Sequence, residues 1–117
     1  MKRTLFILND PPYGTERNYN ALRLARSLLV MAGAEVKLFL IGDAVTSAAA
    51  GQKVPSGYYN LGDMLGAVVR HGGTVGVCGS CMDARGMSVE RLVEGVHRSS
   101  MEELTEWTQW AEKALVF

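Results

Sequence analysis

The chain has 117 residues, 48% of them hydrophobic, and its 12 basic and 12 acidic side chains cancel to zero net charge. This is a globular composition, enough for a single domain over residues 1–117 that buries roughly 65% of its unfolded surface. With no Lys/Arg cluster it argues against direct nucleic-acid binding by phosphate neutralisation. No stretch approaches the ~18 apolar residues of a membrane span. The apolar residues 5–8 are too few for a signal peptide and run straight into Asn9-Asp10-Pro11-Pro12. A cytoplasmic protein with no membrane partner is expected, in a compartment where thiols stay reduced.

Residues 4–8 are a continuous apolar run closed by Asn-Asp-Pro-Pro, which predicts a buried strand and then a loop. Helical periodicity follows over residues 15–32, with Leu22, Ala25, Leu29 and Ala32 on one stripe and Gly33 as the stop. Residues 35–41 read as a second strand. Asp43 is placed to cap a short Ala-rich helix reaching residue 50. A loop over residues 51–59 leads to Asn60, whose spacing to Asp63 marks a helix start, and Leu61, Met64, Leu65, Val68 and Val69 form its apolar face. After His71-Gly72-Gly73, residues 74–78 are a third strand. Ser88 heads a short helix through Val93, residues 96–97 a short strand, and Ser100 with Glu103 a capping box for a helix to about residue 112. Residues 113–117 close the chain as an edge strand. Apolar strands alternating with helices predict an α/β fold, a three-layer α/β/α sandwich around a mostly parallel sheet.

The chain's two cysteines lie in Cys78-Gly79-Ser80-Cys81, directly after the third strand, with Asp83, Arg85 and Gly86 following. Thiolate is the strong nucleophile a protein carries without a cofactor, and parallel sheets gather their sites beyond the carboxyl ends of the strands. Three loops are expected to meet there: residues 9–14, Gly42-Asp43 and residues 78–86. Cys78, Cys81 and Arg85 are the candidate reactive groups, with Arg85 favouring the Cys78 thiolate. Asp10, Tyr13, Glu16, Asp43, Tyr59 and Asp83 are candidate pocket residues. Ionisation alone gains little, because nucleophilicity falls as the pKa falls (Brønsted slope about 0.45). Positioning and leaving-group ability must supply more of the rate.

Other readings of these residues are blander. Cys78 also fits a small buried hydrophobe at a strand end. Cys81 fits a passive loop residue, and Asp83 a turn former paired with Arg85. A closed zinc site needs four ligands, and one chain offers two cysteines, His71 and His97 without finger-like spacing. A thioredoxin-type dithiol normally has its first cysteine opening a helix, whereas Asp83-Ala84-Arg85-Gly86 reads as a loop. His71 sits at a helix end, and His97 reads as a surface residue. Of Trp107 and Trp110, one is expected to pack inward. There is no phosphate-loop pattern, and no metal or cofactor is expected.

A cysteine at a strand end followed by Arg-Gly seven and eight residues later, as in Cys78 with Arg85-Gly86, resembles the DsrE/DsrF-like family. That family includes sulfur-relay subunits of tRNA 2-thiouridylation and of dissimilatory sulfur oxidation. The resemblance extends to the strand before Asn-Asp-Pro-Pro and the Gly42-Asp43 corner, and so over the whole chain. It implies a five-stranded α/β/α fold, assembly into trimers or hexamers, and a persulfide on Cys78 exchanged with a protein or small sulfane-sulfur donor or acceptor. Cys81 departs from the family pattern. It adds a resolving thiol able to attack the persulfide, which leaves open a dithiol redox cycle. A non-catalytic oligomeric module binding a small ligand or a partner is the remaining alternative.

Overall fold

Two six-residue strands, mostly apolar, lie at the heart of the sheet, because strands flanked by helices on both faces need nonpolar side chains on both. The computed structural model describes residues 2–117. Strand β1 (Arg3–Leu8) pairs in parallel with β2 (Glu35–Leu40), from Arg3 opposite Glu35 to Leu8 opposite Leu40. Strand β3 (Thr74–Cys78) lies beside β2, β4 (His97–Ser99) beside β3, and β5 (Lys113–Val116) on the other side of β1. The five-stranded sheet therefore has the order β4-β3-β2-β1-β5, with all pairings parallel.

That order dictates the layers. Right-handed crossovers that step from β1 to β2 to β3 place their helices on one face, and the return from β4 to β5 crosses the other. Helices α1 (Arg17–Met31) and α2 (Leu61–Arg70) accordingly pack together on the first. Helix α4 (Met101–Trp110) covers the second, where Trp107, only 4% exposed, meets Phe39 edge-on at 6.1 Å. Trp110 is half-buried, and the Lys37 ammonium lies 4.4 Å from its ring centroid. The core is one cluster in which Leu5, Phe6, Leu38, Phe39, Leu65 and Val75 are fully buried.

Local signals were followed closely at two helix starts. The Asn60 side chain accepts from the Asp63 amide at 3.0 Å, and Ser100 accepts from the Glu103 amide at 3.2 Å. Several expectations shift. Asp43 caps nothing: a 3-10 helix, Gly42–Ala48, begins after Ile41 in its place. Ser88 likewise makes no capping bond, and only a 3-10 turn, Val89–Arg91, follows it. The short strand falls at His97–Ser99 and α4 ends at Trp110, two residues early. Glu103 does not complete a capping box, because its carboxylate is taken by the Ser99 hydroxyl and His97 Nε2. The larger correction is at the cysteines. Residues 79–84, expected as loop, form helix α3 (Gly79–Ala84). Fully buried Met82 anchors it to the core, and its carbonyl receives the amides of Arg85 and Met87.

Candidate functional site

Cys78 is at once the last residue of β3 and the residue from which α3 starts. Its position at a strand-to-helix corner puts the thiol beyond the sheet's carboxyl edge, beneath a thin cover of protein, with the residue 6% exposed. The thiol belongs to the core cluster and touches the surface. Cys81, one turn on, is half-buried, and neither cysteine is in a disulfide.

The two thiols are polarised in opposite directions. Burial pushes the Cys78 thiol up, but the Ser80 hydroxyl, 3.4 Å from Sγ, the Cys81 thiol and the nearby amides of Cys81 and Ser80 outweigh it. Cys78 thus lies below the ordinary thiol value, although no full capping hydrogen bond to the α3 backbone forms. Cys81 lies above it. Burial and the neighbouring Cys78 raise it, while the Gly42 amide, donating to Sγ at 3.2 Å, and the charge of Arg85 only partly compensate. At the pH where Cys78 begins to ionise, Cys81 is still a thiol.

Gly42 can supply that amide because it turns the chain after β2 at φ +59°, left-handed backbone that disfavours other residues. Beside it, Asp43 accepts from Arg85 Nη2 at 2.7 Å, while Arg85 Nη1 donates to the Cys81 carbonyl at 3.1 Å. Arg85, expected to partner Cys78, therefore stands against Cys81 and staples the β2 corner to α3. Asp83 does not pair with Arg85. It receives both ends of the Arg98 guanidinium at 2.8 and 2.9 Å, which holds its carboxyl below the usual range.

Of the expected site residues, the structure gathers Cys78, Cys81, Arg85, Asp43 and Asp83. The others lie apart. Asp10 accepts from the Thr15 hydroxyl and faces Arg17 at 3.6 Å, and Glu16 sits exposed at the start of α1. Tyr13 donates to Gln52 and accepts from the Leu61 amide. With Tyr59, Tyr58 and Pro55 it lines a cavity of about 400 Å³. Tyr59 also stacks on Tyr19 at 4.3 Å, along a larger cleft of about 670 Å³ between α1 and α2. Sequence reasoning missed three contributors: the Ser80 hydroxyl, the Gly42 amide and Arg98. Only the last had a usable signal, since the next strand brings Arg98 opposite Val77 and Ser99 opposite Cys78.

The chain as a whole, over its described residues, matches a known family. The model of the DsrE/DsrF-like family matches residues 2–117. The chain belongs to the DsrE/DsrF-like family. It is 38% identical to the protein YchN of Escherichia coli K12 across the whole of both chains, and 39% identical to an uncharacterized protein of Methanopyrus kandleri over 95% of this chain and 90% of that one. The crystal structure of YchN superposes with a TM-score of 0.92 over the full length of both. A protein of unknown function from Methanobacterium thermoautotrophicum shares the fold at TM-score 0.76, 17% identity and 97% coverage of each chain. Family membership makes this a small protein of the sulfur-relay type. Among the described residues, no helix is long and apolar enough to cross a membrane, and no three His, Cys, Asp or Glu side chains converge to hold a metal ion.

Proposed function

We propose that the chain carries sulfane sulfur as a persulfide on Cys78, with Cys81 as resolving thiol. The observation supporting this is the opposed polarisation of adjacent thiols at one strand end. The Cys78 thiolate attacks the terminal sulfur of a donor persulfide, a Cys78 S–S bond forms, and the donor leaves as its thiolate. Two outcomes follow. An acceptor thiolate takes the terminal sulfur and Cys78 returns unchanged, which is relay. Alternatively the Cys81 thiolate attacks Cys78 Sγ, a Cys78–Cys81 disulfide forms and hydrosulfide leaves. In that case the sulfane sulfur gains two electrons, the dithiol loses them, and an external thiol reductant must reopen the disulfide. Depressed Cys78 suits attack and departure, while a protonated Cys81 delays resolution and leaves time for relay.

One observation favours a dithiol redox protein as second reading. Cys78 opens a helix, as the first cysteine of such proteins does, so the loop-based objection falls. Both readings place the protein in a reducing compartment such as the cytoplasm, working as a homo-oligomer, trimer or hexamer, without cofactor.

The test is to incubate the reduced protein and Cys81→Ser with a small sulfane-sulfur donor and weigh the products intact. A gain of one sulfur atom on Cys78, longer-lived in Cys81→Ser, is the expected result. No gain in either protein removes the persulfide reading. A reversible disulfide without any sulfur adduct selects the redox reading.

A further inference from the structure

Arg98 has no role in the reading above beyond its pair with Asp83. It lies on the outermost strand β4, and its guanidinium rests directly on the backbone of Gly79, the residue after Cys78. A Cβ built at Gly79 would fall 2.7 Å from Arg98 Cζ and 2.8 Å from Nε and Nη2. Atoms do not approach that closely, so the absence of a side chain at position 79 creates the seat. Nothing in the backbone demands this glycine, because Gly79 is the first residue of α3 and does not have positive φ. Alanine is intrinsically the better helix former there.

The seat is oriented by Asp83. That carboxylate engages both terminal nitrogens of Arg98, fixing the plane of the fork from the far end of α3. A guanidinium has five N–H donors, and the bidentate pair uses two of them. No other acceptor is bonded to the Arg98 guanidinium among the described residues, so three of its donors remain in an exposed pair that lies against Gly79, the residue after Cys78.

We propose that Arg98, seated on Gly79, is the anion-holding residue of the Cys78 site, and that its ligand is the negatively charged terminal sulfur of a persulfide, on Cys78 or on an incoming donor. This deepens the persulfide reading and rests on it. Arg85 is occupied by Asp43 and the Cys81 carbonyl, which leaves Arg98 as the arginine available to Cys78. The electrostatics agree in sign: Arg98 is held above its ordinary value first by the hydrogen bonds and charge of Asp83, and further by the charge of Cys78. Asp83 keeps the seat neutral until an anion arrives, and a neutral electrophile or thiol gains nothing from it.

The test uses Cys81→Ser protein, so that Cys78 is the one thiol, and compares alkylation by iodoacetate, an anion, with iodoacetamide, its neutral analogue. The iodoacetate to iodoacetamide rate ratio should fall about threefold to tenfold in Arg98→Gln, the size of one unit charge a few ångströms away in a water-like medium. Raising the salt should erase that difference. Arg98→Lys should restore part of the ratio, as a point charge without the fork. Gly79→Ala should lower it similarly by displacing the flexible end of Arg98, and should add nothing in the Arg98→Gln background, since the two changes act through one contact. Thermal unfolding confirms that each variant is folded. An unchanged ratio in folded Arg98→Gln, additive effects of the two substitutions, or a folded protein that neither reagent alkylates would overturn the proposal. Alkylation needs no sulfur donor, so the two readings fail separately. A sensitive ratio with no sulfur gain by mass removes the persulfide alone, and sulfur gain with an insensitive ratio removes the Arg98 seat alone.

Discussion

Ser80→Ala isolates the hydroxyl that does most to favour the Cys78 thiolate. A hydrogen bond to a charged acceptor contributes about 1.5–3 kcal/mol when well buried. Here the O to S separation is 3.4 Å and Ser80 is exposed, so water competes for both partners and about 0.5–1 kcal/mol is the appropriate scale. Losing it lowers the thiolate population at neutral pH about two- to fivefold. The more basic thiolate is also the better nucleophile, and with a Brønsted slope of about 0.45 roughly half of that loss returns. The net expectation in a Cys81→Ser background is iodoacetamide alkylation about 1.5- to 2.5-fold slower at neutral pH. At pH above the midpoint it should be about 1.5- to 2-fold faster, with the midpoint itself moved upward. The assay is the alkylation rate followed by intact mass from neutral to alkaline pH. Rate profiles that cross are the signature of an electrostatic role. A variant slower by the same factor at every pH would show that Ser80 governs access to the sulfur, and the argument from ionisation would be refuted.

Cys81 lies above the ordinary thiol value, so sulfide release from loaded protein should accelerate about tenfold per pH unit until Cys81 is ionised, and should vanish in Cys81→Ser. A pH-independent release rate would exclude Cys81 as the resolving group. Glu103 is opposed by burial, but the Ser99 and His97 hydrogen bonds hold it below its ordinary value of 4.5. Its stabilising effect is therefore fully present above that value and lost as pH falls through the lower folded one. Glu103→Gln should cost about 1 kcal/mol at neutral pH in urea unfolding, with the difference from wild type closing in acid. Gly76→Ala should cost about 1–3 kcal/mol by the same measurement, because its Cβ would lie 2.9 Å from the Trp107 ring, which has no room to retreat. Asp43→Asn should barely change stability, since the pair it forms with Arg85 is solvent-exposed, so a large loss would mean that the β2 corner depends on that staple.

What was legible in the sequence followed the range over which each signal acts. Strand runs and helix faces announce themselves by period, and the Asn60 and Ser100 caps are settled within four residues of chain. The cysteine segment misled because its helical state depends on a distant partner: Met82 is buried by the core, while Asp-Ala-Arg-Gly looks locally like a turn. That Cys78 ends a strand is readable from the sequence, but the pairing of charges beyond it is not. Asp83 in the last turn of α3 and Arg85 at its C-cap are two residues apart and point differently, so each reaches a partner on another element, Arg98 and Asp43. Tyr13 is grouped with the cysteines by the expectation that loops at one sheet edge converge, and Tyr59 as the end of a loop able to cover the site. In fact the β1 loop turns toward Gln52 and the start of α2.

Those crossed pairings bear on how the site works. Each of the two arginines of the site is paired with an aspartate, Arg85 with Asp43 and Arg98 with Asp83, so each positive charge is partly offset by its partner. Burial raises both thiols: at Cys78 the Ser80 hydroxyl, the Cys81 thiol and backbone amides outweigh it, whereas at Cys81 the neighbouring Cys78 adds to it and the Gly42 amide and Arg85 charge only partly compensate. Dipolar contacts act over one or two bonds' reach and are little affected by salt, whereas an unpaired arginine would lower both thiols together and speed the self-reaction of the pair. A site meant only to make a reactive cysteine has no need to keep the second thiol protonated. One that held a labile sulfur long enough to hand it on, as the proposed persulfide relay requires, would need it, and opposing two adjacent thiols by local contacts would meet that need.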